Sequence, residues 1–137
     1  MPGIFSKIIA GDIPSYKIAE DENFYAFLDI APQRPGHTLV VPKLEVDKAF
    51  DLPDELLGQW LTFAKPIARA IESAFSCNRC GLSVIGFEVP HAHMHLVPID
   101  SADDLNFTRP KAPATAENLK LAQEKILQKL DEPARRN

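Results

Sequence analysis

Three of the chain's four histidines stand at alternate positions in one short stretch, His91-Ala92-His93-Met94-His95. Alternation is the period of a β-strand, in which residues i, i+2 and i+4 face one side. A strand over His91 to Ile99 presents a row of imidazoles, each about 7 Å along from the next. It turns Ala92, Met94 and Leu96 to the opposite face, where they can be buried. His37, the fourth histidine, opens another predicted strand and approaches the row if the two strands are neighbours. Imidazole is the side chain best suited to act as nucleophile or general acid near neutral pH. One ring can attack phosphorus while its neighbours donate to phosphate oxygens or to the departing group. Two plainer accounts stand beside this one. Two strand histidines at i and i+2 can share a zinc ion, although no cysteine nearby completes a set and Asp100 is the nearest acid after the row. Alternatively, all three are structural, which places three costly polar residues on one face.

At 137 residues the chain suits one domain, and 45% hydrophobic residues suffice for a core without disulfides or metal. We read 1–110 as the catalytic part and 111–137 as a helical extension of the same domain. The net charge of −4 argues against a nucleic-acid footprint, which needs a basic patch. A small anionic ligand needs only a few local donors. No apolar run approaches the roughly 18 residues of a membrane span, and Met1 to Ala10 lacks the order of a signal peptide. The expectation is a cytoplasmic protein without a membrane partner.

Phe5 to Ala10 reads as a short helix ended by Gly11. Tyr16–Glu20 and Phe24–Asp29 read as strands around an Asp21-Glu22-Asn23 turn. Ala31–Gly36 is a loop and His37–Val41 a strand stopped by Pro42, pairing with Phe24–Asp29 as an antiparallel hairpin. Asp51 is placed to cap a helix with Pro53, Asp54 and Glu55 in its first turn. That helix runs to about Phe75, with Leu56, Trp60, Phe63, Ile67 and Ile71 as an apolar stripe and a kink at Pro66. Gly81–Gly86 and His91–Ile99 are further strands, and Asp100–Ala114 is a loop. Thr115 caps a last helix with the stripe Leu119, Ala122, Ile126 and Leu130, and Asp131–Asn137 is a frayed tail. The order predicts an α+β fold on a mainly antiparallel sheet.

Four segments in this order resemble the histidine triad (HIT) family of nucleotide hydrolases and transferases. They are Ile4-Phe5-Ser6-Lys7-Ile8-Ile9, Ala26-Phe27-Leu28-Asp29-Ile30, Pro35 to Lys43 through His37, and Val89 to Pro98 through the three histidines. The resemblance implies an antiparallel sheet with a long helix, usually paired into a homodimer. It implies that His93 attacks the α-phosphorus of a purine nucleotide and that water resolves the nucleotidyl-histidine. His91 would position His93 through its backbone carbonyl, and His95 and His37 would sit by the phosphate and leaving group. Asp29 matches the acid that accepts from the ribose hydroxyls, and Phe5, Ile8, Phe27 and Ile30 match the purine pocket. Read from the residues alone, Ile8, Phe27 and Ile30 could be core and Asp29 a turn former.

The chain departs from the family at three places. Gly3 and Ser6 hold positions where many members carry Cys-x-x-Cys for a structural zinc, so neither metal nor cofactor is expected. Cys77 and Cys80 lie elsewhere and read as free thiols. The loop before the triad is short, and Glu88 stands where a small hydroxyl residue often contacts phosphate. A carboxylate there repels phosphate unless paired or protonated. The main expectation is a phosphoramidate-type nucleotide hydrolase. The rivals are a dinucleoside polyphosphate hydrolase and a nucleotide-binding protein with little catalysis.

Overall fold

The structure is a computed structural model that describes residues 2–111 and 113–136, with side chains up to Leu130. Helix α1 spans Ile4–Ala10 and stops where Gly11 takes the left-handed conformation at φ 88°. A residue with a Cβ resists that geometry. Strands β1 (Lys17–Glu20) and β2 (Phe24–Leu28) follow. Between them Asp21 Oδ1 accepts from the backbone N–H groups of Asn23 and Phe24 at 2.8 Å, a side-chain-closed turn.

Strand β3 is Thr38–Pro42 and pairs with β2 from Leu28↔Thr38 to Phe24↔Pro42, the expected hairpin. Pro42 belongs to the strand as its last residue. Lacking an N–H, it closes the ladder from its own side while leaving its carbonyl free for a later partner. Helix α2 spans Asp54–Ala74 and continues through Pro66. Its N-cap is Pro53, not Asp51 as expected, because residues Ala49–Asp51 are drawn into a separate 3₁₀ turn.

Strand β4 is Arg79–Ser83, shifted toward the N-terminus from the expected Gly81–Gly86. Strand β5 is Met94–Ile99, so His91 and His93 precede the strand and only His95 lies on it. The expectation of one continuous strand from His91 is corrected. The ladder to β3 runs only from Val40↔Met94 to Thr38↔Leu96, and the Ala92 N–H turns to the carbonyl of Val46. The expected loop after β5 holds a 3₁₀ turn at Ala102–Leu105. Helix α3 spans Ala116–Arg136, capped by the Thr115 hydroxyl, which accepts from the Asn118 N–H at 3.1 Å. The helix occupies most of the expected frayed tail, and Asn137 lies outside the described residues.

The five strands form one antiparallel sheet in the order β1-β2-β3-β5-β4, an α+β fold. The strand period divides its side chains between two clusters. Phe24, Ala26, Leu28, Val40, Met94 and Leu96 face α2 and α3, meeting Trp60, Ile67, Ile71, Leu119, Ala122 and Ile126. Tyr25, Phe27, Leu39 and Val41 face the other way, against Phe5 and Ile8 of α1. Each fully buried Leu, Ile or Phe contributes roughly 1.5–3 kcal/mol. Because β2 and β3 are buried on both faces, the sheet is a rigid middle layer. The histidines open on its α1 side, where Phe5 meets the rings of His91 and His93 edge-on at 5.6 and 5.3 Å.

Candidate functional site

All four histidines are buried, at 5% exposure or less. Placing β5 beside β3 is what unites them, because His95 then pairs opposite Leu39, two residues beyond His37. Their hydrogen bonds fix the tautomers. His91 Nε2 lies 2.7 Å from the carbonyl of Pro42, and a carbonyl only accepts, so the proton is on Nε2. The Nδ1 of His91 is buried with no partner. His93 Nδ1 lies 2.7 Å from the carbonyl of His91, so it holds the proton and leaves Nε2 with a lone pair. Gln33 donates its backbone N–H to His37 Nδ1 at 3.0 Å, so His37 is protonated on Nε2. That Nε2–H donates to His95 Nδ1 at 2.9 Å, which puts the proton of His95 on its own Nε2. The arrangement holds a basic nitrogen on His93 and an N–H on His95, with the two rings 5.0 Å apart.

Burial, joined by the neighbouring histidines, pushes His37 down to about 3 and His95 to about 4. Both rings are therefore neutral donors near pH 7. The Asp29 backbone N–H donates to the carbonyl of His37, and Asp29 Oδ2 lies 3.7 Å from His37 Nε2. Asp29 Oδ1 accepts from the Ala31 N–H at 2.9 Å, so the residue closes a turn, as its alternative reading had it. Burial raises the Asp29 pKa.

Asp29, His37 and His95 offer one donor atom each, all within 4.8 Å of one another, a spacing that a metal ion can bridge. The Gln33 N–H opposes this. It occupies His37 Nδ1 and leaves the proton on Nε2, and a protonated nitrogen has no lone pair for a metal.

A cavity of about 330 Å³ opens over His93 and His95. Its walls come from two segments, Ile85 to Glu88 and Leu105 to Thr108. The ring of Phe107 sits 4.5 Å from that of His95 and 5.9 Å from that of His37. Glu88 is exposed on the rim. The site can thus present a nucleophile, a neighbouring donor and a space for a departing group.

The HIT domain model matches residues 10–102. The chain belongs to the HIT family. It is similar to the protein hit of Bacillus subtilis, 45% identical over an alignment of 102 residues that covers 69% of each chain. It is also similar to the adenosine 5′-monophosphoramidase hnt1 of Schizosaccharomyces pombe, 37% identical over 95% of this chain and 99% of that one. Among solved structures, a Hit-like protein of Bartonella henselae matches at a TM-score of 0.82 and 30% identity, over 93% of this chain and 95% of that one.

Against the expectations for a HIT protein, the structure unites Phe5, Ile8 and Phe27 in one buried cluster, with Phe5 and Phe27 5.5 Å apart. Ile30 stands away from it, 64% exposed, its carbonyl accepting from the Ala114 N–H. Gly3 and Ser6 donate to Glu45 Oε1 at 2.8 and 2.6 Å, which ties α1 to the chain after β3. Cys77 and Cys80 are free, and burial raises both thiols, Cys80 to about 12, which makes them poor nucleophiles. Reading the sequence missed Gln33, the Pro42 carbonyl, Asn106 and Phe107. Gln33 Nε2 donates to the Asn106 carbonyl, so the two loops that flank His37 and His95 hold each other. A lone Phe107 inside a polar stretch was the one available signal. Among the described residues, no helix is long and apolar enough to cross a membrane.

Proposed function

We propose that this chain hydrolyses purine nucleoside phosphoramidates at the α-phosphorus through a nucleotidyl-His93 intermediate. The observation that carries the reading is the 2.7 Å bond from His93 Nδ1 to the His91 carbonyl, which leaves Nε2 basic beside a neutral His95 donor. His93 Nε2 forms a bond to phosphorus as the phosphorus–nitrogen bond breaks, and the amine leaves with a proton gained at the open cavity mouth. The His93 ring then bears positive charge, which the carbonyl of His91 stabilises. His95 donates Nε2–H to a phosphate oxygen, and His37 holds His95 in that tautomer. Water next attacks phosphorus, the bond to His93 breaks, and a nucleoside monophosphate and a proton are released. Asp29 accepts from the ribose hydroxyls, and Phe5, Ile8 and Phe27 make an apolar wall for the purine, with the exposed Ile30, set apart from them, as a further contact. Glu88 lines the leaving-group cavity. The named activity of the Schizosaccharomyces pombe relative supports the substrate class.

The test is single-turnover mixing with adenosine 5′-phosphoramidate, followed by intact-mass analysis, with His93→Ala in parallel. An adenylate-sized gain on the wild type alone, with AMP release, is expected. Binding of AMP without turnover of this substrate or of a diadenosine polyphosphate would overturn the proposal in favour of a binding protein.

We also propose a homodimer. Strand β4 is a sheet edge, and beside it lies an apolar groove of about 830 Å³ lined by Leu61, Leu82, Val84 and Ile85. Phe50 and Phe87 on the groove are 89% and 94% exposed, two large rings open to solvent that a second copy could cover. A monomer mass by light scattering would overturn it.

A further inference from the structure

The phosphate of such a substrate is an anion, and the side chains described so far bring no positive charge to it. His37 and His95 are neutral, while Asp29 and Glu88 are acids. A phosphate entering among neutral donor rings and two carboxylates is held more tightly if a cation stands close by. Several basic side chains are occupied: Arg34 by Asp100 and Asp104, Arg109 by Asp103, and Lys17 and Lys43 by Glu20.

Lys111 differs. Among the described residues it is in no ion pair of 4.0 Å or less, and its Nζ lies 5.5 Å from the centroid of the Phe107 ring. That same ring lies against His95 and His37 and walls the cavity over His93. The positive charge of Lys111 reaches Asp29, His37 and His95, pulling down the pKa of each. The chain between Asn106 and Lys111 is anchored at its start by Gln33 and the Thr108 hydroxyl, both bonded to Asn106. A lysine stem is flexible and keeps its ammonium free to turn toward an incoming anion.

We infer that Lys111 is the cation that receives the substrate phosphate, with Phe107 as the platform that holds it over His95. This rests on the proposed reading of the site and deepens it by naming what recognises the charge. The ligand is the anionic phosphorus group of a purine nucleotide, and the uncharged nucleoside is not affected.

The experiment compares the full chain with Lys111→Met and Lys111→Arg. It reads kcat and KM on adenosine 5′-phosphoramidate, and binding of AMP and of adenosine. Lys111→Met should raise KM and weaken AMP binding by about tenfold while kcat changes less than about threefold, because a charge near the surface acts mainly on the bound anion. The dependence of kcat/KM on salt between about 20 and 500 mM should flatten. Lys111→Arg should restore both to within about threefold, since it keeps the charge. Adenosine binding should be the same in all three proteins, which separates charge recognition from a disturbed loop. Equal loss of AMP and adenosine binding, or no loss of either, would overturn the inference while adenylation of the wild type still stood. Wild type that neither binds AMP nor becomes adenylated would sink the reading of the site and this inference with it.

Discussion

The Nδ1 of His93 lies 2.7 Å from the carbonyl oxygen of His91, two residues earlier in the same chain. Such a contact needs the backbone to leave the strand geometry that begins at Met94. The bend that precedes the strand is therefore the same feature that sets the tautomer of His93. Replacing His93 by Ala should lower turnover of adenosine 5′-phosphoramidate by about three orders of magnitude or more, with the fold unchanged by circular dichroism. Full turnover of every substrate that the wild type cleaves would remove the nucleophile from His93.

His91 makes a separate contribution to stability. Its Nε2–H meets the Pro42 carbonyl at 2.7 Å in a buried setting. His91→Phe keeps much of the ring volume but strands that carbonyl, which should cost about 1–3 kcal/mol. Urea unfolding measures it. An unchanged midpoint would mean that the bond contributes nothing net.

Acid should weaken the fold before the carboxylates titrate. His37 is held down to about 3 and His95 to about 4, against an ordinary value near 6.5 in the unfolded chain. Below about pH 6.5 the unfolded chain binds protons that the folded one refuses. Stability is thus complete above that pH and falls as pH drops toward 4, by roughly 1.4 kcal/mol per unit for each ring. Urea midpoints at pH 7, 6 and 5 should fall in order, and His95→Phe should flatten the fall. A midpoint that holds steady from pH 7 to 5 would contradict this.

Gly36 is placed where no other residue fits comfortably. Its φ is 99°, and a Cβ built there would stand 2.5 Å from Phe75 Cε2. Gly36→Ala should destabilise by more than about 1 kcal/mol and disturb His37, the next residue. In a Phe75→Ala background the added cost should be smaller, because the clash is gone and only the backbone strain remains. Thermal melts of the four proteins read the difference, and strict additivity would assign the whole cost to φ.

The cavity wall at Phe107 is a further point of control. Phe107→Ala removes a ring that packs 4.5 Å from His95. It should widen the space over His93 and shift the ratio of kcat/KM between small and bulky leaving amines toward the bulky ones, by a factor of roughly 10, which is about 1.4 kcal/mol. An unchanged ratio would mean that leaving groups do not touch this wall.

Much of the architecture is written locally. The aromatic-rich run of Phe24–Leu28, the helical stripes on α2 and α3, the Gly11 stop and the Thr115 cap each depend on residues a few positions apart. Local steric and hydrogen-bonding preferences decide such features, so sequence alone determined the elements, the α+β class and the set of four histidines. The Asp51 cap failed because Asp51 is taken up by its own 3₁₀ turn. The continuous histidine strand failed because Ala92 pairs with Val46 rather than with β3. Tertiary structure alone decided the rest: β5 lies between β3 and β4, His37 donates to His95 across 58 residues, and Gln33 reaches Asn106 across 73. These unions depend on which strands pair and in what register. That is settled by the joint burial of two sheet faces, a property of the whole chain that no short window of sequence contains.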